Sequence, residues 1–473
     1  DEERLSNFRE LYRLPPEIIE LLKTEKVGND PMLREQDLQW LRKLPKADLH
    51  CHFGGILHAP AMIQVAQTLE AEIESYRHQL PAFHDFLDKL TTLVRQRHLP
   101  AIHSHIGTPR ELRTRFPGLP QPFAVAAVIL AFRDDPDLLD QYIFSSPDGV
   151  LDYRDPNQFH AVGITSYITL GDLQGSALMQ HRATIHAACE YLQNYCRQHN
   201  VIHLELRCSP VKYTEGELSE KQVLNIFSEH FPQFPILIIA SRHGRMSEIF
   251  HTIELIEEIF SDPARREAST IAGVDLAGPE NTRAPFEVRN AFVPVFEYCL
   301  PITIHAGENP QRLGSHNIWE AIYHLQADRL GHALSLLDSP DLLNKLIDRG
   351  TGLELCPSSN RQIVGFTHPD VPGSHAQDVY PLKEYLNRGL RVTVNTDNPA
   401  MSRTDITREF YEAARMSNGL SRWEIMQLIR NALRVSFHPG HESRGKRKEL
   451  ILEAERMIID ILHQQYQSIR INP

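Results

Sequence analysis

The stretch Ala47-Asp48-Leu49-His50-Cys51-His52, followed at once by Phe53-Gly54-Gly55, is where the texture of this 473-residue chain changes. Upstream, acidic and apolar residues recur at helical spacing, with Pro15-Pro16 as a helix start and Gly28-Asn29-Asp30-Pro31 as a break. Residues 1–45 are therefore expected to form an N-terminal helical appendage of two short helices. Downstream, short β-branched or Leu-rich runs alternate with helical stretches, the pattern of strands and crossover helices in a parallel sheet. After the run at 47–52 come 202–208, 236–241, 271–277, 302–305, 329–332, 352–356 and 392–397. Eight strands in βα order fit a closed (β/α)8 TIM-like barrel. An open doubly wound sheet uses the same local pattern, and periodicity does not separate the two.

The gap between the first two runs, about 53–200, is far longer than the later spacings and is expected to hold a long helical insertion. Within it Leu178, His181, Ile185, Ala188, Leu192 and Tyr195 fall three or four apart, as on one helix face. Residues 83–94 also read as helix, while 117–122 and 145–157 are turn-rich. Such an insertion makes a lid or an oligomer contact, or simply covers an edge. The barrel is expected over 46–440, with 441–473 as a C-terminal helix packing on it.

Composition narrows the function classes. Apolar residues make up 41% and charged ones 23%, which is globular rather than disordered. Lys+Arg 49 against Asp+Glu 61 leaves a net charge of −12, so no direct nucleic-acid binding and no anionic membrane surface are expected. The longest apolar stretch, residues 124–132, falls well short of the ~20 residues that cross a bilayer. Six cysteines without a CxxC pair read as small buried hydrophobes in a reducing, cytoplasmic setting. The chain begins Asp1-Glu2-Glu3-Arg4, with neither an initiator Met nor a basic-then-apolar leader, as a processed or truncated chain would.

In a strand, His50 and His52 face one side while Leu49 and Cys51 face the other, so two imidazoles converge. A second strand ends in Ile304-His305-Ala306-Gly307-Glu308, a histidine followed by a turn through small residues that delivers a carboxylate. A third ends in Leu330-Gly331-His332-Ala333 and a fourth in Asn395-Thr396-Asp397-Asn398-Pro399. Taken singly, His332 reads equally well as a satisfied core histidine and Asp397 as a helix N-cap. All four motifs, however, lie where a strand stops, the rim on which barrels assemble active sites. Three imidazoles and a carboxylate suit a borderline cation such as Zn²⁺, which activates water near neutral pH.

The ordered set His-x-His, Leu-Ala-Gly, His-Ala-Gly-Glu, Leu-Gly-His, Leu-Cys-Pro-Ser-Ser-Asn and Asn-Thr-Asp resembles the adenosine deaminase family of metal-dependent hydrolases, from Lys46 to about Phe437. The resemblance implies a (β/α)8 barrel and one Zn²⁺ per chain held by His50, His52, His305 and Asp397. It implies that Glu308 protonates N1 of a 6-aminopurine and that His332 orients or deprotonates the attacking water. It further implies that the Gly278 backbone meets N3, and that Asn398, standing where many members carry a second aspartate, donates to N7.

Family members acting on adenosine usually place an aspartate two residues after the second histidine, against the ribose 5′-hydroxyl; this chain has Gly54. Loss of that carboxylate removes repulsion toward a 5′-phosphate, and Gly54-Gly55 offers backbone N–H groups. The substrate is thus expected to be an adenine nucleoside or its 5′-phosphorylated form, with another residue supplying the hydroxyl contact as the competing reading. Arg207 and Arg242 are expected as ion-pair partners inside the barrel, and His58 and Arg133 as bases approaching from the insertion. Gly54, the large insertion and the start of the chain also resemble the deaminase component of RADAR phage-defence systems. That resemblance implies a homo-oligomer, an ATPase partner and a role in antiviral defence. Alternatives are an amidohydrolase with a different amine substrate and a catalytically silent barrel serving as an assembly scaffold. A cytidine deaminase type of zinc site is rejected, because Cys356-Pro357 is reversed and unpaired.

Overall fold

Eight parallel strands follow one another in chain order around one sheet: β1 (Lys46–His52), β2 (Val201–Cys208), β3 (Ile236–Ser241), β4 (Ile271–Ala277), β5 (Ile302–Ala306), β6 (Arg329–His332), β7 (Gly352–Leu355) and β8 (Arg391–Val394). The computed structural model of the chain describes residues 5–231, 234–308, 314–371, 379–440 and 443–466. The last strand closes onto the first: Asp397 N–H donates to His50 O at 2.7 Å, and His52 N–H to Asp397 O at 2.8 Å. This is the (β/α)8 barrel, and closure excludes the open doubly wound sheet. The final run, expected to extend to 397, leaves the regular ladder after Val394, and Asp397 takes a positive φ of 59° to make the closing bridge.

The barrel interior is unusual in what fills it. Glu205, Arg207, Asp275, Thr303, Arg329 and Glu354 are all fully buried, and aliphatic side chains of the same strands, such as Leu204, Leu206, Leu353 and Leu355, face the surrounding helices. Buried charges are tolerated only when paired and hydrogen-bonded, and these are.

Between β1 and β2 the insertion is helical throughout most of its length, from Ala59–Gln67 to Arg182–Gln198. The first seven residues of the apolar run lie in the helix Gln121–Leu130, which buries every residue from Pro122 onward and so has no polar face. The helix expected around 178–195 starts later, at Arg182, because His181 caps it by accepting from Ala183 N–H at 3.1 Å. The stretch 83–94 lies within the helix Pro81–Arg95.

At the N-terminus the helices Pro16–Thr24 and Arg34–Lys43 flank the expected break. The break itself does more than turn: Lys26–Val27 pairs antiparallel with Leu420–Ser421. A Cβ on Gly28, at φ 68°, would lie 2.7 Å from Ala414 Cβ, so glycine lets the two backbones meet. Near the other end, the helix Ser443–Gln465 buries Ala454, Ile458 and Leu462. Among the described residues no helix is long and apolar enough to cross a membrane. Cys299 is exposed and the other five cysteines are buried and free.

Candidate active site

His50 and His52 at the end of β1, His305 on β5 and Asp397 just beyond β8 bring four ligand atoms within 4.8 Å of one another. His50 Nε2 lies 3.0 Å from His305 Nε2 and 3.2 Å from His52 Nε2, and Asp397 Oδ1 lies 3.3 Å from His52 Nε2. The outer nitrogens decide what the inner ones carry. His50 Nδ1–H donates to Glu354 Oε2 at 3.0 Å, and His305 Nδ1–H donates to Asp275 Oδ1 at 3.0 Å. With those protons outward, Nε2 of each neutral ring presents a lone pair inward. Lone pairs facing each other at this distance repel unless a cation lies among them. The donor set, three imidazole nitrogens and one carboxylate oxygen, therefore fits Zn²⁺. Gly331 makes the approach possible, since a Cβ there would lie 3.1 Å from His50 Cε1.

The carboxylates behind the imidazoles are held in turn. Glu354 accepts from Arg329 Nε at 2.6 Å, from Thr303 Oγ1 at 2.9 Å and from Arg207 Nη2. Arg207 Nη1 donates to Asp275 Oδ2 at 3.0 Å, and Arg329 also pairs with Glu205. Burial alone would raise the Glu354 carboxyl, but the two guanidiniums hold it well below the usual carboxylate range. Asp275 is likewise held low against burial, by His305 and Arg207. Arg207 is the ion-pair partner its position in a strand suggested. Arg242 is not: it donates to His305 O at 2.7 Å and Leu276 O at 3.3 Å, and among the described residues it has no carboxylate within ion-pair distance.

Glu308 follows Gly307, whose φ of 74° is matched to a site where a Cβ would lie 2.5 Å from Ile318 Cδ1. Glu280, absent from the sequence reading, accepts from the N–H groups of Gly307 at 2.8 Å and Glu308 at 2.7 Å and so shapes this turn. Burial, then the negative charges of Asp397 and Glu280, push the Glu308 carboxyl up to about 8. It holds its proton at neutral pH.

His332, at φ 67°, lies with Nε2 3.6 Å from Glu308 Oε1. Its Nδ1 meets Asn360 Nδ2 at 2.9 Å. The amide orientation follows from its other end, because Asn360 Oδ1 accepts from Cys356 N–H at 3.1 Å and from Tyr380 O–H at 2.8 Å. Nδ1 is thereby an acceptor, and the proton of the neutral ring sits on Nε2, facing Glu308 and the cradle. Burial keeps the ring neutral. Asn360 and Tyr380 were not singled out in the sequence; the Leu-Cys-Pro-Ser-Ser-Asn motif was the available signal.

The other residues expected at the site also follow strand ends. Gly54 lies in the short turn Phe53–Gly55, and a Cβ on it would be 3.4 Å from Tyr213 Oη. Gly278, at φ 108°, backs onto His243, whose Nδ1 would lie 2.8 Å from a Cβ. Asn398 Nδ2 donates to Asp397 Oδ1 at 2.9 Å, and its side chain fills the space that a Cβ on Gly55 would need. Of the bases expected from the insertion, Arg133 is paired with Glu70, and His58 stands half-buried just before the helix Ala59–Gln67 without a side-chain capping bond.

Residues 138–452 match the family described as adenosine deaminase. An adenosine deaminase of Klebsiella pneumoniae subsp. pneumoniae is 36% identical over 194 residues, 41% of this chain and 54% of that protein. One of Lacticaseibacillus paracasei is 25% identical over 425 residues, 88% of this chain and 97% of that protein. Among solved structures, an amidohydrolase of Burkholderia ambifaria with bound zinc superposes with a TM-score of 0.62, covering 93% of this chain and 100% of that one; at 16% identity the likeness is one of fold. The chain belongs to the adenosine deaminase family and is a hydrolytic deaminase.

Proposed function

We propose that the chain hydrolyses the 6-amino group of an adenine nucleoside or of its 5′-phosphorylated form, with Zn²⁺ held by His50, His52, His305 and Asp397. Bound there, zinc supplies a Lewis acid that lowers the pKa of water toward neutrality. The residues of the chain do the rest. As C6 is attacked, electrons move onto N1, and the protonated Glu308 delivers its proton to that nitrogen. His332, as the Nε2–H tautomer set by Asn360, donates to the attacking oxygen and orients it; it is not the base. As the tetrahedral C6 adduct collapses, its hydroxyl proton passes to the amino nitrogen, the C6–N bond breaks, ammonia leaves and a 6-oxopurine remains. Gly278 leaves the backbone open to N3, and Asn398 carries an amide donor beside Asp397 for N7.

The observation that carries this reading is the Glu308 carboxyl, its pKa pushed up to about 8 by desolvation and neighbouring carboxylates, beside three converging imidazoles. Protonating a ring nitrogen requires such an acid at neutral pH, and simple amide hydrolysis at the same cation does not. For the 5′-phosphate, support comes from the mouth. Lys212 is exposed in the turn Pro210–Tyr213, whose Tyr213 lies against Gly54, and its charge bears on the exposed His243 beside Gly278. The cationic Lys212 thus lies in the turn beside the position where the usual aspartate is missing, and His243, held neutral by desolvation and by the charge of Lys212, adds a hydrogen-bonding imidazole. The antiviral setting, the homo-oligomer and the ATPase partner belong to this reading on resemblance alone. Incubating the zinc-loaded protein with adenosine, AMP and ATP while following the ultraviolet change to the 6-oxopurine tests it. Product from at least one is expected, and product from none overturns it. Turnover of adenosine alone would remove the nucleotide half.

A further inference from the structure

On the far side of the helix Pro357–Ile363 from the imidazole cradle, a cavity of about 190 Å³ opens between that helix, the segment of the insertion carrying Arg154, and the helix Ile406–Met416. Five arginines line it, Arg34, Arg154, Arg361, Arg403 and Arg408, against the single carboxylate of Glu412. We propose that this cavity is a binding site for a phosphate-type oxyanion, free or as the phosphate chain of a nucleotide, separate from the catalytic centre.

Four of the arginines are already oriented by carboxylates outside the lining: Arg154 by Asp152 and Arg403 by Asp140, both at 2.6 Å, Arg34 by Glu35 at 2.9 Å and Arg408 by Asp405 at 3.3 Å. A guanidinium has five N–H donors, so each keeps donors to spare while its fork is held in place. Arg361 differs. It is only 7% exposed, it donates to Phe159 O at 3.2 Å, and among the described residues no carboxylate lies within 4 Å of it. Among the described residues its Nε has no hydrogen-bond partner.

Two more side chains of the same lining carry buried, unpartnered polar atoms, Gln362 Oε1 and Tyr411 Oη. Buried polar atoms are nearly always satisfied, so three orphans around one cavity, Arg361 Nε and Gln362 Oε1 on one helix and Tyr411 Oη on the other, are out of the ordinary. The volume far exceeds the ~10–15 Å³ that admits a single water, and water brings no charge to a buried guanidinium. Hydrogen phosphate brings acceptor oxygens and negative charge for the arginine side chains that line the cavity. The helix keeps the two sites apart: Ser359 donates to Asp397 Oδ2 at 2.6 Å and Asn360 contacts His332 on one side, while Arg361 and Gln362 line the cavity on the other.

The test is calorimetric titration of the zinc-loaded protein with inorganic phosphate, pyrophosphate and GTP, a nucleotide with no 6-amino group to lose. Binding of at least one is expected, the inorganic arms reporting a free anion and GTP alone a nucleotide. Arg361→Gln should weaken binding about tenfold or more, because a charged hydrogen bond is lost. Arg408→Gln, at an exposed position, should weaken it too and guards against misfolding of the first variant. Lys212→Gln, at the catalytic mouth, should leave it unchanged. Absence of binding by all three probes, binding indifferent to both arginine substitutions, or binding abolished by Lys212→Gln overturns the proposal.

Discussion

The imidazole side of the rim and its glycine side are built on opposite principles. Around His50, His305 and His332, every outer ring nitrogen has a fixed partner, and the partners Glu354 and Asp275 are themselves held by Arg207 and Arg329 inside the barrel. Around Gly54 and Gly278 the chain supplies backbone, an exposed lysine and an exposed histidine. Groups that set protonation states and metal geometry have to be preorganised, and outer partners of ligating histidines do this. Groups that choose among substrates sit on loops, where a change costs the fold little.

Substitutions break this contrast in order of size. His305→Ala removes a ligand and should abolish both zinc retention and turnover, read as metal content and deamination rate. Glu308→Gln keeps shape and metal but has no acidic proton, so kcat should fall by about 10²–10⁴ at unchanged zinc content. A near-normal rate would remove Glu308 as the acid. Asp275→Asn leaves His305 in place without its anionic partner and should weaken zinc affinity about 10- to 100-fold, measured by competition with a chelator.

The acid also sets a pH limb. Glu308 works protonated, and burial raises its pKa to about 8, so activity should be full below that value and fall as pH rises through it. The residual activity of Glu308→Gln should lack this limb. The smallest effect belongs to the open side. Lys212→Gln should raise KM for AMP by about twofold to fivefold, since an exposed ion pair is weak, and leave KM for adenosine unchanged. Equal effects on both substrates would mean that Lys212 does not meet a phosphate.

The same contrast explains what could be read in the sequence. All eight strands lie within two or three residues of their expected limits, because β-branched runs between helices are a local signal. The candidate ligands could be found because strand ends collect at one rim. The residues behind them could not. In Leu353-Glu354-Leu355 the glutamate reads as the solvent face of an alternating strand; only closure of the barrel turns that face inward, toward Arg207 and Arg329. Arg242 failed for the same reason, since a basic residue at a strand end says nothing of whether a carboxylate stands opposite. The pairing of Lys26–Val27 with Leu420–Ser421, nearly 400 residues away, is carried by two residues that form no pattern of their own.

Zinc-edge X-ray absorption on the reconstituted protein tests the central claim most directly. The account predicts one zinc per chain, bound by imidazole nitrogens and carboxylate oxygen, with the imidazole signal reduced in His305→Ala. Zinc bound without histidine, or a spectrum that His305→Ala leaves unchanged, would contradict it.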